Sequence, residues 1–283
     1  MPSLFRDRTV WRQRGVRKGA PRMSLGPRAG AGQFRPDLSP LVVAIVIALK
    51  GLLPSIGPAS AQGFDTDLNI VVAFDRSESV TTVEATAQIE GLIYALAHPR
   101  LIAAIEGGFS GRIGLSVITW SSFGHWDVLL PWTMVGGPTD VARIVPVLEQ
   151  DHRDRATRPF GPQTDVAFGL ERATHMGRSA PFAAPWTALN IVSDGISNLG
   201  RVPMVDRDRA LAEGMTVNAL TFGRGSAERV LRRYFERYVI GGPRAFVVSA
   251  LSPEQFAQAT LRKMLLEIAL LADLAVLDHH QAG

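Results

Sequence analysis

Six short apolar runs divide the chain: LNIVVAF (68–74), GRIGLSVITW (111–120), HWDVLLPW (125–132), WTALNIVSD (186–194), MTVNALTFG (215–223) and AFVVSA (245–250). All six read as strands, and LNIVVAF, apolar at nearly every position, fits a strand covered on both faces better than a half-exposed strand, which alternates. Between them lie segments of helical period. TTVEATAQIEGLIYALAHPR (81–100) puts Val83, Ala87, Ile89, Ile93, Leu96 and Ala97 largely on one face, with a Thr start and Pro99 expected as its stop. TDVARIVPVLEQ (139–150) is helical in character, although Pro146 is expected to kink or shorten it. TDVAFGLERATHM (164–176) is a helix expected to begin at Thr164, and VDRDRALAEG (205–214) one that ends in glycine. SAERVLRRYFERYV (226–239) and PEQFAQATLRKMLLEIALL (253–271) are helices on either side of the last short strand.

Strands separated by helices of this length imply right-handed crossovers and a mostly parallel sheet with helices on both faces. The third run follows the second too closely for a crossover, so it pairs antiparallel, as an edge strand. The expected fold is therefore a doubly wound α/β domain over 67–272, preceded by a short linker (62–66) and followed by a polar tail (273–283).

The formal net charge of +4 is unevenly spread. Residues 1–61 hold ten basic and two acidic side chains, which leaves 20 basic against 24 acidic residues beyond them. A nucleic-acid binder carries its positive charge on the folded domain; this chain does not, and nucleic acid is set aside as a partner. The basic leader precedes PLVVAIVIALKGLLPSIGPASAQ (40–62), where Leu41–Leu49 has the length of a signal-peptide core and Ala59-Ser60-Ala61 offers a small-residue cleavage site. Lys50 interrupts the run before it reaches the ~20 residues of a membrane span. The expectation is an exported protein, periplasmic or secreted, cleaved after Ala61, with no span in the mature chain. Met23 is an alternative start.

The first strand ends in Asp75, followed by Ser77 and Ser79 in the loop before a helix. Ligands of open parallel sheets gather at the carboxyl ends of the strands. Two other junctions offer oxygens at the same end: Thr164 in FGPQTDVAFGL (160–170) and Asp194 in NIVSDGISNLG (190–200). An oxygen-only donor set suits a hard cation, Mg²⁺ first and Mn²⁺ or Ca²⁺ second. The cysteine count of zero excludes thiolate ligation, and the six histidines form no metal-type pair on a helix face.

The set Asp75-x-Ser77-x-Ser79, then Thr164, then Asp194, resembles the metal-ion-dependent adhesion site of von Willebrand factor type A (vWA) domains. More narrowly, HPRLIAAIEGGFSGRIGLSVITWSS (98–122), VIGGPRAF (239–246) and RKMLLEI (262–268) resemble a proteobacterial family of exported vWA-like proteins of unknown function. The resemblance implies that the serines and threonine coordinate the ion directly or through water and that the aspartates often act through water. It also implies a sixth position left for a partner's Asp or Glu carboxylate. Arg76 and Asp165 sit beside these positions without removing a ligand, and Asp165 is expected to add charge to the rim.

The implied function is non-enzymatic, metal-dependent protein binding. A phosphatase-like hydrolase using Asp75 is the alternative, but it needs a second acid two residues on, where this chain has Ser77. A structural vWA domain without metal is the other. Trp120, Trp126 and Trp132 are expected to be packing residues.

Overall fold

The computed structural model describes residues 63–155 and 161–281. The expected signal segment and the cleavage site expected after Ala61 lie outside the described residues. The described residues form six strands: β1 (Leu68–Asp75), β2 (Ile113–Trp120), β3 (Trp126–Val135), β4 (Thr187–Ser193), β5 (Thr216–Phe222) and β6 (Val247–Ala250). Their order is β3-β2-β1-β4-β5-β6; β3 pairs antiparallel to β2 at one edge and every other pairing is parallel.

Among the described residues seven helices cover the sheet: α1 (Thr82–Ala97), α2 (Pro99–Glu106), α3 (Pro138–Arg155), α4 (Val166–Arg178), α5 (Met204–Ala212), α6 (Gly225–Tyr238) and α7 (Pro253–Gln281). The two faces of β1 explain why its sequence is apolar from Ile70 to Phe74. Ile70, Val72 and Phe74 join a core with Leu92, Leu96, Leu101, Leu148 and Phe256 from α1, α2, α3 and α7. Val71 and Ala73 join a second core with Leu170, Ala210, Leu231 and Phe235 from α4, α5 and α6. Alternate side chains of one strand thus serve two cores.

Trp120 is fully buried in the second core, its indole N–H bonded to the Ala73 carbonyl (3.1 Å). A Cβ at Gly169 of α4 would come within 2.6 Å of that ring, so only glycine lets the helix approach. Trp126 and Trp132 pack at the border of the same core, in keeping with a packing role.

Four local expectations are corrected. Pro99 does not simply end a helix: it opens α2 at a position where its missing N–H is harmless, while the His98 side chain accepts the Arg100 N–H as a cap. Helix α3 runs on past Pro146 to Arg155, with Val141, Ile144 and Leu148 buried around the proline. Helix α4 begins at Val166, not Thr164, and its cap is Asp165, which accepts the Phe168 N–H (3.0 Å). Asp165 is therefore buried and engaged rather than a charge displayed on the rim. Helix α7 continues to Gln281.

The sheet also buries charge. On α7, Lys263 Nζ donates to Glu267 Oε1 (2.6 Å) and to Asn190 Oδ1 on β4. Glu267 accepts in turn from Asn190 Nδ2 (3.0 Å) and from Asn218 Nδ2 of β5 (2.9 Å), and Asn218 Oδ1 accepts the Phe246 N–H (3.1 Å). Both charged side chains are buried. RKMLLEI (262–268) and the end of VIGGPRAF (239–246) are the two segments this network ties to the sheet.

Candidate metal centre

Asp75 is the last residue of β1, where the strand emerges at the carboxyl end of the sheet. Its side chain is fully buried. Oδ1 accepts the Ser77 N–H (2.8 Å) and Oδ2 accepts the Ser193 hydroxyl (2.6 Å). The first of these bonds bends the chain sharply after the strand and turns the Ser77 hydroxyl across the sheet end.

From there the contacts run in a line. Thr164 Oγ1 donates to Ser77 Oγ (2.9 Å), Ser77 Oγ lies 3.2 Å from Ser79 Oγ, and Ser79 Oγ donates to Asp194 Oδ1 (2.9 Å). All five residues singled out in the sequence thus meet, from three loops that are far apart along the chain. Ser77 and Thr164 are buried, Asp194 is half-buried and Ser79 is exposed, so the cluster opens to solvent on the Ser79 side.

Both acids resist ionisation. Burial pushes the Asp75 carboxyl up from 3.8 to about 7, against the lowering effect of the Ser193 and Ser77 hydrogen bonds and with a further push from Asp194. Burial also raises Asp194, opposed by the Ser79 hydroxyl and aided by the nearby Glu84 carboxylate. Two carboxyl groups raised together in one pocket form a site that gains from a cation.

The donor set fits a small hard ion. Oxygens that share an octahedral Mg²⁺ at ~2.1 Å stand about 3 Å apart along its edges, the spacing of the three hydroxyl and carboxylate contacts above. Among the described residues no group of three or more His, Cys, Asp or Glu is placed to hold a metal, because this cluster combines two acids with three hydroxyls.

Residues that the sequence reading passed over hold the cluster in place. Ser193 has one proton, and at 2.6 Å it goes to Asp75; the same oxygen accepts the Gly195 N–H (3.1 Å), coupling Asp75 to the turn after Asp194. Asn198 grips Thr164 from both sides: the Thr164 N–H donates to Asn198 Oδ1 (2.9 Å), and the Asn198 N–H donates to the Thr164 carbonyl (3.0 Å). Ser197 Oγ accepts the Val166 N–H (3.0 Å). Gly200 has φ +85, and a Cβ there would strike the Asp165 carboxylate at 2.3 Å. In sequence these residues look like ordinary turn formers, and no spacing rule marks them.

Comparison with known proteins follows the same lines. The sequence profile of a family described as "Protein of unknown function (DUF1194)" matches residues 65–272. No curated protein sequence matches. Among solved structures, proximal thread matrix protein 1 (PTMP1) from the mussel byssus superposes with a TM-score of 0.51 and 17% identity, over 73% of this chain and 48% of that one. The open conformation of the pilus adhesin SpaC from Lactobacillus rhamnosus GG gives 0.52 and 14%, over 73% and 30%. A von Willebrand factor type A structure from Catenulispora acidiphila gives 0.47 and 14%, over 71% and 42%. The chain spans about half the length of the mussel protein and under a third of the adhesin. Another structure of the mussel protein is described as having a zinc-occupied MIDAS motif. The fold, with five parallel strands, one antiparallel edge and helices on both faces, is vWA-like.

Proposed function

This chain belongs to the DUF1194 family, and from that premise we propose that it is an exported, metal-dependent protein-binding module. The observation that carries the reading is the line of oxygens from Thr164 through Ser77 and Ser79 to Asp194, lying beside the buried Asp75 at the carboxyl end of the sheet.

Ser77, Ser79 and Thr164 would hold Mg²⁺ with neutral oxygens, with Mn²⁺, Ca²⁺ and zinc as the other ions to test. Asp75 already has both oxygens engaged, so it balances charge from behind the hydroxyls, while Asp194 does so from the open side. The ion, when bound, supplies an electrophilic position for an Asp or Glu of a partner protein. The residues of this chain orient that position and keep bulk water from its inner side.

Burial of Asp75 argues against the phosphatase-like alternative. A nucleophilic carboxylate must reach the phosphorus, and Asp75 is enclosed, with Ser77 standing where a proton-donating acid would be needed.

A ligand that binds only the folded state raises its stability, by about 2.7 kcal/mol at a hundredfold excess over Kd. In the full chain stripped with chelator, Mg²⁺ or Mn²⁺ should therefore raise the melting temperature by about 5–10 °C. Asp75→Ala and Thr164→Ala should each blunt that shift. A partner captured from periplasm in Mg²⁺ should be released by EDTA, and lost more completely with Asp194→Ala than with Ser79→Ala. Capture that is equal in EDTA and in Mg²⁺ would overturn the mechanism.

Export rests on the segment 1–61 and has its own test. Amino-terminal sequencing of the periplasmic protein should begin at Gln62. Recovery of only full-length chain from the membrane fraction would show an anchor instead. Among the described residues no helix is long and apolar enough to cross a membrane.

A further inference from the structure

The loop that follows Asp194, Gly195–Pro203, is built in an unusual sense. Its apolar side chains Ile196 (47% exposed), Leu199 (39%) and Val202 (57%) face solvent, and Met204 and Val205 extend the patch onto α5. Its polar groups are committed to the protein: Ser197 and Asn198 to the Thr164–Val166 segment, and Arg201 in ion pairs with Asp206 and Glu171. An exposed loop with no task would do the opposite, since an apolar surface patch that hides nothing is a liability. Fastened through its hydrogen bonds, the loop holds this patch beside Asp194 without having to order on binding.

Beside it lies an open groove of about 510 Å³, floored by Leu199, Gly200, Val202 and Pro203 and walled by Tyr234 and Tyr238 of α6. Tyr234 belongs to the same arrangement, its hydroxyl 3.4 Å from the Ser197 nitrogen. The one charged residue lining the groove is Arg201, already neutralised by its two acids. At the far wall the Arg237 guanidinium stacks over the Tyr238 ring, 5.2 Å from its centre. The groove therefore joins apolar side chains and two aromatic walls to Ser197 and Asn198, which also hold the Thr164–Val166 segment of the metal centre, with a guanidinium stacked on one of its walls.

We infer that the partner is a protein segment carrying an Asp or Glu with an apolar side chain immediately beside it, the acid directed to the metal centre and the apolar group seated between Leu199, Val202 and the two tyrosines. This rests on the metal-dependent binding proposed above. Charge complementarity selects the occupant: the groove, whose Arg201 is neutralised, favours an uncharged side chain, and the metal centre with its ion bound favours negative charge. A carboxylate alone is present on every protein surface, so the trough supplies the discrimination that the ion cannot.

The test is selection of a random peptide phage library on the full chain in Mg²⁺, with EDTA elution. Recovered peptides should be enriched in Asp or Glu adjacent to Leu, Ile, Val, Phe or Tyr. A synthetic peptide of that type should lose about tenfold or more in affinity for the Leu199→Ser/Val202→Glu variant, whose Mg²⁺ thermal shift should stay at the wild-type value. Acidic peptides with no apolar neighbour, no enrichment despite a normal Mg²⁺ shift, or equal affinity for the variant would each overturn the proposal. Mg²⁺-dependent self-association abolished by the same variant would overturn it too, by making a second copy of the chain the occupant. Loss of the Mg²⁺ shift in the wild-type protein would mark the failure of the metal centre itself.

Discussion

Lys263→Met should destabilise the folded chain by about 3–5 kcal/mol, the loss expected when one member of a buried ion pair is removed. Lys263 and Glu267 are both buried, and without the ammonium the Glu267 carboxylate would be left with only the amides of Asn190 and Asn218. Glu267→Leu should be harmful for the mirror reason, leaving a cation in the core. The double variant Lys263→Met/Glu267→Leu should recover much of the loss, because a buried pair replaced by apolar groups of similar volume is often neutral. Urea midpoints for the two single variants and the double close the cycle. Additive losses would show that the two side chains do not act as a pair. The Mg²⁺ response should survive in all folded variants: Asn190 stands four residues before Asp194 on its strand, roughly 13 Å away.

The second large effect is a dependence on pH that metal should reverse. In the metal-free protein the Asp75 carboxyl ionises at about 7 instead of 3.8, chiefly because it is buried. A group whose pKa is higher in the folded state keeps more protons there than in the unfolded chain, so stability falls as pH rises. The contribution is fully present below about 3.8 and lost on passing 7, a swing on the order of 4 kcal/mol. Asp194 is shifted in the same direction. Other carboxylates titrate too, so the quantity to measure is the difference between wild type and Asp75→Asn in chelator. It should widen in favour of the variant between about pH 5 and pH 8. A cation must displace the Asp75 proton, so the Mg²⁺-induced rise in melting temperature should be small at about pH 5 and large at about pH 8. Equal Mg²⁺ shifts at the two pH values would show that Asp75 does not answer to the ion.

Both predictions depend on groups that the chain brings together only on folding, and they differ in how far the linear sequence exposes them. Asp75 was legible because it ends an unbroken apolar run, and a carboxylate placed there must stand at the end of a buried strand, where parallel sheets gather their ligands. Ser77 and Ser79 were legible in the loop that follows it and Asp194 at the end of another apolar strand, whereas Thr164 was legible only as a helix entry after Gly161 and Pro162, and its loop joins α3 to α4 instead of following a strand. Lys263 and Glu267 were not. Spaced four apart on a helix, they look like a solvent-exposed pair, and nothing local says that Asn190 and Asn218, on two separate strands, wait beneath them.

The sequence by itself determined the order of the strands and of the helices other than α2, the antiparallel edge and the identity of the five clustered residues. Each follows from short-range patterning: apolar period, loop length, and acids or hydroxyls placed at strand ends. Tertiary structure decided what short-range patterning cannot carry. Pro99 opens a second helix because the chain turns at His98, and α3 passes Pro146 with its apolar side chains seated in the core. Asp165 became a buried cap, Asn198 a clamp on Thr164, and the apolar loop after Asp194 was held facing outward, because their partners lie far along the chain. Burial and desolvation are properties of the assembled sheet, and it is burial that raises Asp75 to about 7.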